Sequence, residues 1–172
     1  VIVNLICFIP MSSMISLAMG NGTITDETSD ESTALVQEIA EEGIVLLKND
    51  GTLPLAADSN LNVFGWASTN PCYGGTGSGA LSDAYPTVSL LQGLEDAGFN
   101  LNTELSDFYT AYRADRPEVG MWAQDWTLPE PTADSYTDEM MANAKEFSDT
   151  AMVVITRVGG EGADLPTDVS KV

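Results

Sequence analysis

Short apolar segments alternate along this chain with helices that carry one apolar face. Ala151–Ile155 is apolar throughout, and Leu61–Phe64 is apolar except for Asn62, so both predict short strands within a sheet. Residues 87–97 and 137–147 instead predict helices. Helices that alternate with such strands are typical of α/β proteins. The sequence therefore predicts a three-layer α/β/α sandwich with a mainly parallel sheet, helices on both faces, and an incomplete C-terminus.

Further elements are predicted around these segments. Leu35, Val36, Ile39 and Ala40 fall at helical spacing, which predicts a helix with Asp30 or Ser32 as its N-cap and Gly43 as its C-terminal stop. Ile44–Leu47 predicts a buried extended segment, and the proline-rich residues Arg116–Ser135 are interpreted as an inserted loop. Two helical stripes are expected to be buried, and they consist of Val88, Leu90, Leu91 and Leu94, and of Leu105, Phe108, Tyr109 and Tyr112.

Composition and charge exclude several kinds of function. The 172 residues include 26 acidic and 6 basic side chains and no histidine, which gives a net charge of -20. Because a bound polyanion requires a basic patch, nucleic acid is not expected as a partner. Without histidine, the chain cannot supply a Ser-His-Asp triad, a Cys-His pair or an imidazole metal ligand. The acidic clusters also lack the spacing of a calcium loop, so no metal and no other cofactor is expected.

The N-terminal residues differ from the rest of the chain. Val1–Gly20 is uncharged and mostly apolar, which we interpret as the tail of a membrane anchor or signal segment. A buried core helix is the alternative. Residues 21–33 are polar and acidic and are interpreted as a solvated linker, so the main domain is expected over residues 34–172. An anchor or signal segment predicts an extracytoplasmic protein, either secreted or membrane-anchored.

Two loops carry the candidate functional residues. The first, Tyr73–Ala80, contains Gly77, Ser78 and Gly79 in a glycine-rich run whose backbone N–H groups could contact an anion or a sugar hydroxyl. A phosphate-binding loop would require a lysine, and the run has none. Its glycine spacing also differs from the dinucleotide-binding fingerprint. A ligand-facing loop and a purely structural loop both remain open.

The second loop follows the predicted strand Ala151–Ile155. In parallel α/β sheets, ligands bind at the loops that leave the carboxyl ends of the strands. Glu161 lies in this loop between two glycines, which could present its carboxyl group in a cleft as a general acid. The alternative is an ordinary solvated acidic loop. Trp122 and Trp126 could stack on a sugar or could pack locally within the insertion.

Three segments together resemble glycoside hydrolase family 3, specifically its α/β sandwich domain. They are residues 40–55 (AEEGIVLLKNDGTLPL), the Tyr73–Ala80 loop and residues 153–164 (VVITRVGGEGAD). The resemblance implies a retaining, exo-acting β-glycosidase of the β-glucosidase kind, whose substrate is a β-linked oligosaccharide or glycoside. Members of this family combine a barrel domain, which supplies an aspartate nucleophile, with this sandwich domain, which supplies the acid/base carboxylate.

The resemblance also assigns residues within this chain. It implies that Glu161 is the acid/base carboxylate and that Gly77, Ser78 and Gly79 border the sugar site. The order of segments resembles permuted family members whose sandwich domain comes first, so the barrel partner is expected beyond Val172. Without that barrel, the chain alone is expected to lack glycosidase activity. The alternative function is a non-catalytic carbohydrate-binding α/β module.

Overall fold

The computed structural model describes Met19 and residues 24–71, 87–114, 129–156 and 167–168 of the chain. The chain divides into two compact units, Val1–Leu53 and Pro54–Val172. Nearly all of Val1–Gly20 lies outside the described residues, so its interpretation as an anchor or signal segment stays a prediction. Among the helices of the described ranges, none is both long enough and apolar enough to span a membrane.

The described part of the first unit contains helix α1, Asp26–Gly43. Thr25 is its N-cap, because the Thr25 Oγ1 accepts a hydrogen bond from a first-turn N–H at 3.3 Å. The prediction that Asp30 or Ser32 caps this helix is therefore wrong, since Thr25 begins the helix earlier. Much of the segment interpreted as a linker is helical, although its described residues are exposed.

Ile44–Leu47 follows α1 and was expected to be buried, which is wrong. These four side chains are between 61% and 93% exposed. An apolar run is buried on both faces only where neighbouring strands and helices cover it. In the described part of the first unit, α1 is the only helix or strand, and Ile44–Leu47 lies outside it.

The second unit contains a three-stranded parallel sheet. Its strands are β1 (Asn60–Phe64), β2 (Asn100–Leu101) and β3 (Ala151–Val153), and they lie in the order β2-β1-β3. The central strand, β1, pairs in parallel with both neighbours. The strands predicted at Leu61–Phe64 and Ala151–Ile155 are thus present, although β3 ends at Val153. The predicted α/β class with a parallel sheet is confirmed.

Three helices accompany this sheet, and they are α2 (Leu90–Asp96), α3 (Thr103–Ala114) and α4 (Asp138–Phe147). Side-chain caps determine where two of them begin. Ser89 Oγ accepts from a backbone N–H of α2 at 3.1 Å, and Thr137 Oγ1 accepts from one of α4 at 3.2 Å.

Val88 precedes the Ser89 cap and is 66% exposed, so the prediction that Val88 belongs to a buried helical stripe is wrong. The other members of that stripe are half-buried, namely Leu90, Leu91 and Leu94.

The core of the second unit is contributed mainly by β1 and α3. Leu61 is 1% exposed, Leu105 is 0% exposed and Tyr109 is 1% exposed. Removing such apolar surface from water is the main favourable contribution to folding. The predicted stripe on α3 is therefore confirmed at Leu105 and Tyr109, whereas Phe108 and Tyr112 are only half-buried.

A buried amide network joins β1 to the helices. Asn62 is 3% exposed, and its Nδ2 donates to the carbonyl of Ala144 at 2.7 Å and to that of Ser148 at 3.0 Å. Its Oδ1 accepts from Asn102 Nδ2 at 2.9 Å. The two carbonyls lie at the C-terminal end of α4, where the Ala144 carbonyl also accepts from the Ser148 N–H at 3.1 Å. The one polar side chain inside the apolar run of β1 therefore connects the strand to α4.

Replacing Asn62 with Asp is expected to lower the stability more than replacing it with Ala. Asn62→Ala removes the three hydrogen bonds of the Asn62 amide, which costs about 1–3 kcal/mol. Asn62→Asp, in addition, replaces the N–H donor with a negatively charged carboxylate, which would face the two carbonyl oxygens. Thermal unfolding of the full-length protein that carries this chain measures both losses. The control is Asn60→Asp, because the Asn60 amide makes an exposed bond to Phe147. Equal losses for Asn60→Asp and Asn62→Asp would contradict this account.

Candidate active site

The carboxyl ends of β1 and β3 lie side by side. Phe64 and Val153 are register partners at the ends of the two strands. Immediately afterwards, the Val154 N–H donates to the Phe64 carbonyl at 2.8 Å. Because the strands are parallel, the chain leaves the sheet at the same edge toward Tyr73–Ala80 and toward Glu161. We call this edge, formed by Phe64, Gly65, Val153 and Val154, the carboxyl edge.

Gly65 allows the two strand ends to come this close. A Cβ atom on Gly65 would overlap the backbone carbonyl of Val154, and the φ angle of Gly65 is +99°. A side chain would therefore be unfavourable here for two independent reasons, a steric overlap and a left-handed backbone. This glycine ends β1 and turns the chain away from the sheet.

A short 3₁₀ helix, Trp66–Ser68, follows Gly65 and is held by local hydrogen bonds. Ser68 Oγ donates to the Gly65 carbonyl at 2.7 Å, and Thr69 Oγ1 donates to the Trp66 carbonyl at 3.0 Å. Ala67 is fully buried. We call Trp66–Asn70 the strand-end turn. The chain continues from this turn toward the glycine-rich loop.

Arg113, the last buried residue of α3, reaches the strand-end turn. Its side chain is only 8% exposed, and its guanidinium carbon lies 4.9 Å from the centre of the Trp66 ring. The Asn70 amide is oriented with its Oδ1 toward Arg113, because only the amide oxygen can accept hydrogen bonds from the guanidinium N–H groups. In that orientation Asn70 Oδ1 accepts from Nε at 3.2 Å and from Nη2 at 2.8 Å. Arg113 therefore contacts both the first and the last residue of the turn.

Glu130 contacts the same turn from another direction. Its Oε2 accepts from the Trp66 backbone N–H at 3.3 Å. Partial burial of the carboxyl group raises the pKa of Glu130 above its ordinary value, although the side chain as a whole is exposed and the Trp66 N–H acts in the opposite direction. The neighbouring Pro129 carbonyl accepts from the Tyr112 hydroxyl at 2.6 Å. The segment that begins at Pro129 is thus attached both to α3 and to the strand-end turn.

Two tyrosines lie beneath this region. The Tyr109 and Tyr136 hydroxyl oxygens are 2.8 Å apart, and the Phe108 ring lies 5.1 Å from the Tyr109 ring and 5.3 Å from the Tyr136 ring. Burial, together with the hydrogen bond to Tyr136, raises the pKa of the Tyr109 phenol well above its ordinary value. Tyr109 therefore stays neutral at physiological pH, so it packs and hydrogen-bonds but does not supply an anionic base.

The residues that the sequence proposes for the site lie outside the described ranges. Glu161, Gly77, Ser78 and Gly79 are all among them, and their roles stay predictions. Trp122 and Trp126 also lie outside those ranges, so the two interpretations of this pair are untested. In the parts of the chain that the structure describes, no group of three acidic or cysteine side chains is placed to hold a metal ion.

The structure identifies functional candidates that the sequence interpretation missed. Leu105, Tyr109 and Arg113 are spaced four residues apart, so they share one face of α3. The sequence could have predicted a buried guanidinium here, because Arg113 continues the helical spacing of the apolar residues Leu105 and Tyr109. No comparable spacing pointed to Glu130, because its contact with Trp66 joins segments that are distant in sequence.

Comparison with known proteins identifies the family. Residues 44–170 match the family described as the glycosyl hydrolase family 3 C-terminal domain. This chain therefore belongs to glycoside hydrolase family 3, as its sequence resemblance predicts. The matched range includes the β1 and β3 strands and both loops that leave the carboxyl edge.

Curated relatives are β-glucosidases. The chain is 35% identical to a β-glucosidase of Ruminococcus albus over 130 residues, which cover 74% of this chain and 13% of the relative. It is 30% identical to β-glucosidase A of Butyrivibrio fibrisolvens over 152 residues, which cover 87% of this chain and 18% of the relative. The chain thus spans less than a fifth of the length of either protein.

Solved structures agree with the fold described above. A β-glucosidase from Paenibacillus barengoltzii superposes with a TM-score of 0.65 at 34% identity, over 78% of this chain and 15% of that structure. β-Glucosidase 3B from Thermotoga neapolitana, in complex with α-D-glucose, gives a TM-score of 0.60 at 28% identity, over 78% of this chain and 19% of that structure.

Replacing Gly65 with Ala is expected to destabilise the protein strongly. A left-handed backbone at a non-glycine residue costs on the order of 1–3 kcal/mol, and the overlap with Val154 adds to that cost. Gly51→Ala separates the two effects, because Gly51 has φ +104° but open space around its Cβ position. Thermal unfolding of the full-length protein should show a larger loss for Gly65→Ala. Equal losses for the two variants would mean that the close approach of β1 and β3 is unimportant.

Replacing Glu130 with Gln is expected to flatten the pH dependence of stability. The pKa of Glu130 is raised in the folded protein, so the folded state binds this proton more tightly than the unfolded state. The resulting stabilisation is present below the unfolded pKa and is lost as the pH rises through the folded pKa. Gln keeps an acceptor for the Trp66 N–H but does not titrate.

The measurement for Glu130 is the melting temperature of the full-length protein as a function of pH. The melting temperature of wild type, relative to that of Glu130→Gln, should be lowest at neutral pH and should rise as the pH falls. Glu139→Gln, at an exposed position on α4, serves as the control. If Glu130→Gln and Glu139→Gln change the melting curve in the same way at every pH, burial does not raise the pKa of the Glu130 carboxyl group in the folded protein.

Proposed function

We propose that this chain is the sandwich domain of a retaining, exo-acting β-glucosidase and supplies its acid/base carboxylate. The observation that carries this proposal is the parallel pairing of β1 with β3, because both candidate loops continue from the carboxyl edge. Membership of glycoside hydrolase family 3 and the β-glucosidase relatives support a β-linked glycoside as the substrate.

Glu161 is the proposed acid/base residue. In the first step its protonated carboxyl group donates a proton to the glycosidic oxygen as that oxygen leaves the sugar. In the second step the resulting carboxylate removes a proton from the water that releases the sugar from the enzyme. The supporting features are its position in the loop after β3 and the match of this segment to the family.

The glycine-rich loop is the proposed sugar-binding partner of Glu161. Gly77 and Gly79 would let the backbone approach a sugar closely, and the Ser78 hydroxyl can both donate and accept a hydrogen bond. The proton transfers and hydrogen bonds proposed here use protein groups alone, so the proposal includes no metal and no organic cofactor.

The second carboxylate must come from elsewhere in the protein. A retaining mechanism uses a nucleophilic carboxylate and an acid/base carboxyl group about 5–5.5 Å apart. We propose that a barrel domain of the same protein supplies this nucleophile together with most of the sugar pocket. The small share of its relatives that this chain covers supports the proposal that further domains contribute.

Glu161→Gln in the full-length protein tests this function. Gln keeps the shape of the side chain but cannot protonate a poor leaving group, so hydrolysis of disaccharides and alkyl glucosides should fall by about 10²–10⁴-fold. An activated aryl glucoside needs little protonation, so formation of its covalent intermediate should be much less affected. Azide needs no deprotonation, so added azide should restore turnover and yield a β-glycosyl azide. Steady-state kinetics and product analysis measure these effects.

Asp164→Asn is the matched control, because Asp164 lies in the same loop. This variant should respond similarly with good and poor leaving groups and should show no azide rescue. If Glu161→Gln instead loses rate equally on both substrates and gains nothing from azide, Glu161 is a binding or structural residue. A wild-type protein that binds β-glucosides but does not hydrolyse them would favour a non-catalytic carbohydrate-binding module.

A further inference from the structure

Arg113 stands apart from the other basic residues of the described ranges. Those ranges contain Lys48, Arg113 and Lys145, and only Arg113 is buried. Burying a charged group is expensive unless hydrogen bonds and other partners compensate for the lost water. A stability role alone could be performed by a well-packed apolar side chain. The buried guanidinium therefore suggests a requirement for a defined geometry at this position.

The contacts of Arg113 define what that geometry is. Its guanidinium carbon lies over the Trp66 ring, 4.9 Å from the ring centre. Its Nε and Nη2 donate to Asn70 Oδ1 at 3.2 and 2.8 Å. Arg113 thus joins the first and last residues of the strand-end turn, while Glu130 holds the Trp66 N–H from another direction. The turn is connected to α3 as well as to β1.

We propose that Arg113 is a positioning residue for glycoside binding. It acts through Trp66 and Asn70: by fixing both ends of the strand-end turn, it fixes the direction in which the chain leaves the carboxyl edge toward the glycine-rich loop. This assignment rests on the function proposed above, in which that loop binds the sugar. Arg113 itself does not touch the substrate.

The chemistry of the side chain determines which substitutions can replace it. A guanidinium is planar, so it can stack on an indole ring while its N–H groups point sideways at a single acceptor. Lysine carries the same charge on a compact ammonium group and cannot make both contacts in this geometry. Asn70→Asp retains an acceptor for the guanidinium, whereas Asn70→Leu has none.

The test compares Arg113→Lys, Arg113→Met, Asn70→Asp and Asn70→Leu with wild type in the full-length protein. Lys145→Met is the control for loss of an exposed positive charge on α4. The readouts are kcat and KM for an aryl β-glucoside, the inhibition constant of glucose, and the melting temperature. Titration of the active sites with a 2-deoxy-2-fluoro-glucoside gives the concentration of functional enzyme. Dividing the maximal rate by this concentration gives a kcat that is unaffected by misfolded protein.

A positioning role predicts a rise in KM and in the glucose inhibition constant on the order of tenfold for both Arg113 variants and for Asn70→Leu. Their normalised kcat should stay within about twofold of wild type, because lost sugar contacts that are equal in the ground and transition states change KM. Asn70→Asp and Lys145→Met should keep the wild-type constants. Since Asn70 is half-buried, Asn70→Leu gives a reading even if the Arg113 variants do not fold.

Other results would overturn the assignment. If KM and the glucose inhibition constant stay unchanged while only the melting temperature or the number of functional sites falls, Arg113 has a purely structural role. Full function in Arg113→Lys would also contradict the argument from guanidinium geometry. A wild-type protein without β-glucosidase activity would overturn the proposed function and this assignment together, whereas an active wild type with unaffected variants overturns the assignment alone.

Discussion

The parallel contact between β1 and β3 determines the arrangement of everything that follows. The Val154 N–H donates to the Phe64 carbonyl. Gly65 has no side chain and has a left-handed backbone, and both features let the two strand ends come close. The two strands come from distant parts of the chain, so their pairing brings together positions that local sequence cannot relate. These strand ends form the carboxyl edge, from which the chain continues toward both candidate loops.

Polar groups inside an otherwise apolar unit fix the orientation of β1 at two points. Asn62 connects the middle of the strand to the C-terminal end of α4, and Arg113 connects the turn after the strand to α3. Apolar packing around Leu61 and Leu105 is not directional, whereas these hydrogen bonds are satisfied only in one geometry. Burial thus stabilises the unit, and the polar contacts define the geometry of β1 and of the strand-end turn.

The sequence predicts the strands and helices of the second unit well, because apolar runs and helical spacing reflect burial directly. It fails where an apolar residue is not buried. Ile44–Leu47 is as apolar as a buried strand, yet its side chains are exposed, and Val88 lies outside α2 because the Ser89 cap begins that helix one residue later. The contact of Glu130 with Trp66 is likewise invisible to local pattern. Glu161 is predicted from its position after β3 and from the family resemblance, and Ser78 from its glycine-rich loop and the same resemblance; both lie outside the described ranges.

A crystal structure of the full-length Glu161→Gln protein with a bound β-glucoside tests the central claim most directly. The distance to measure joins the residue 161 side chain and the glycosidic oxygen. The proposed function predicts a sugar at the carboxyl edge, in contact with the glycine-rich loop, and a separation of about 3 Å, within hydrogen-bond reach. A glucoside bound away from this edge, with the residue 161 side chain beyond hydrogen-bond distance of the scissile bond, would contradict it.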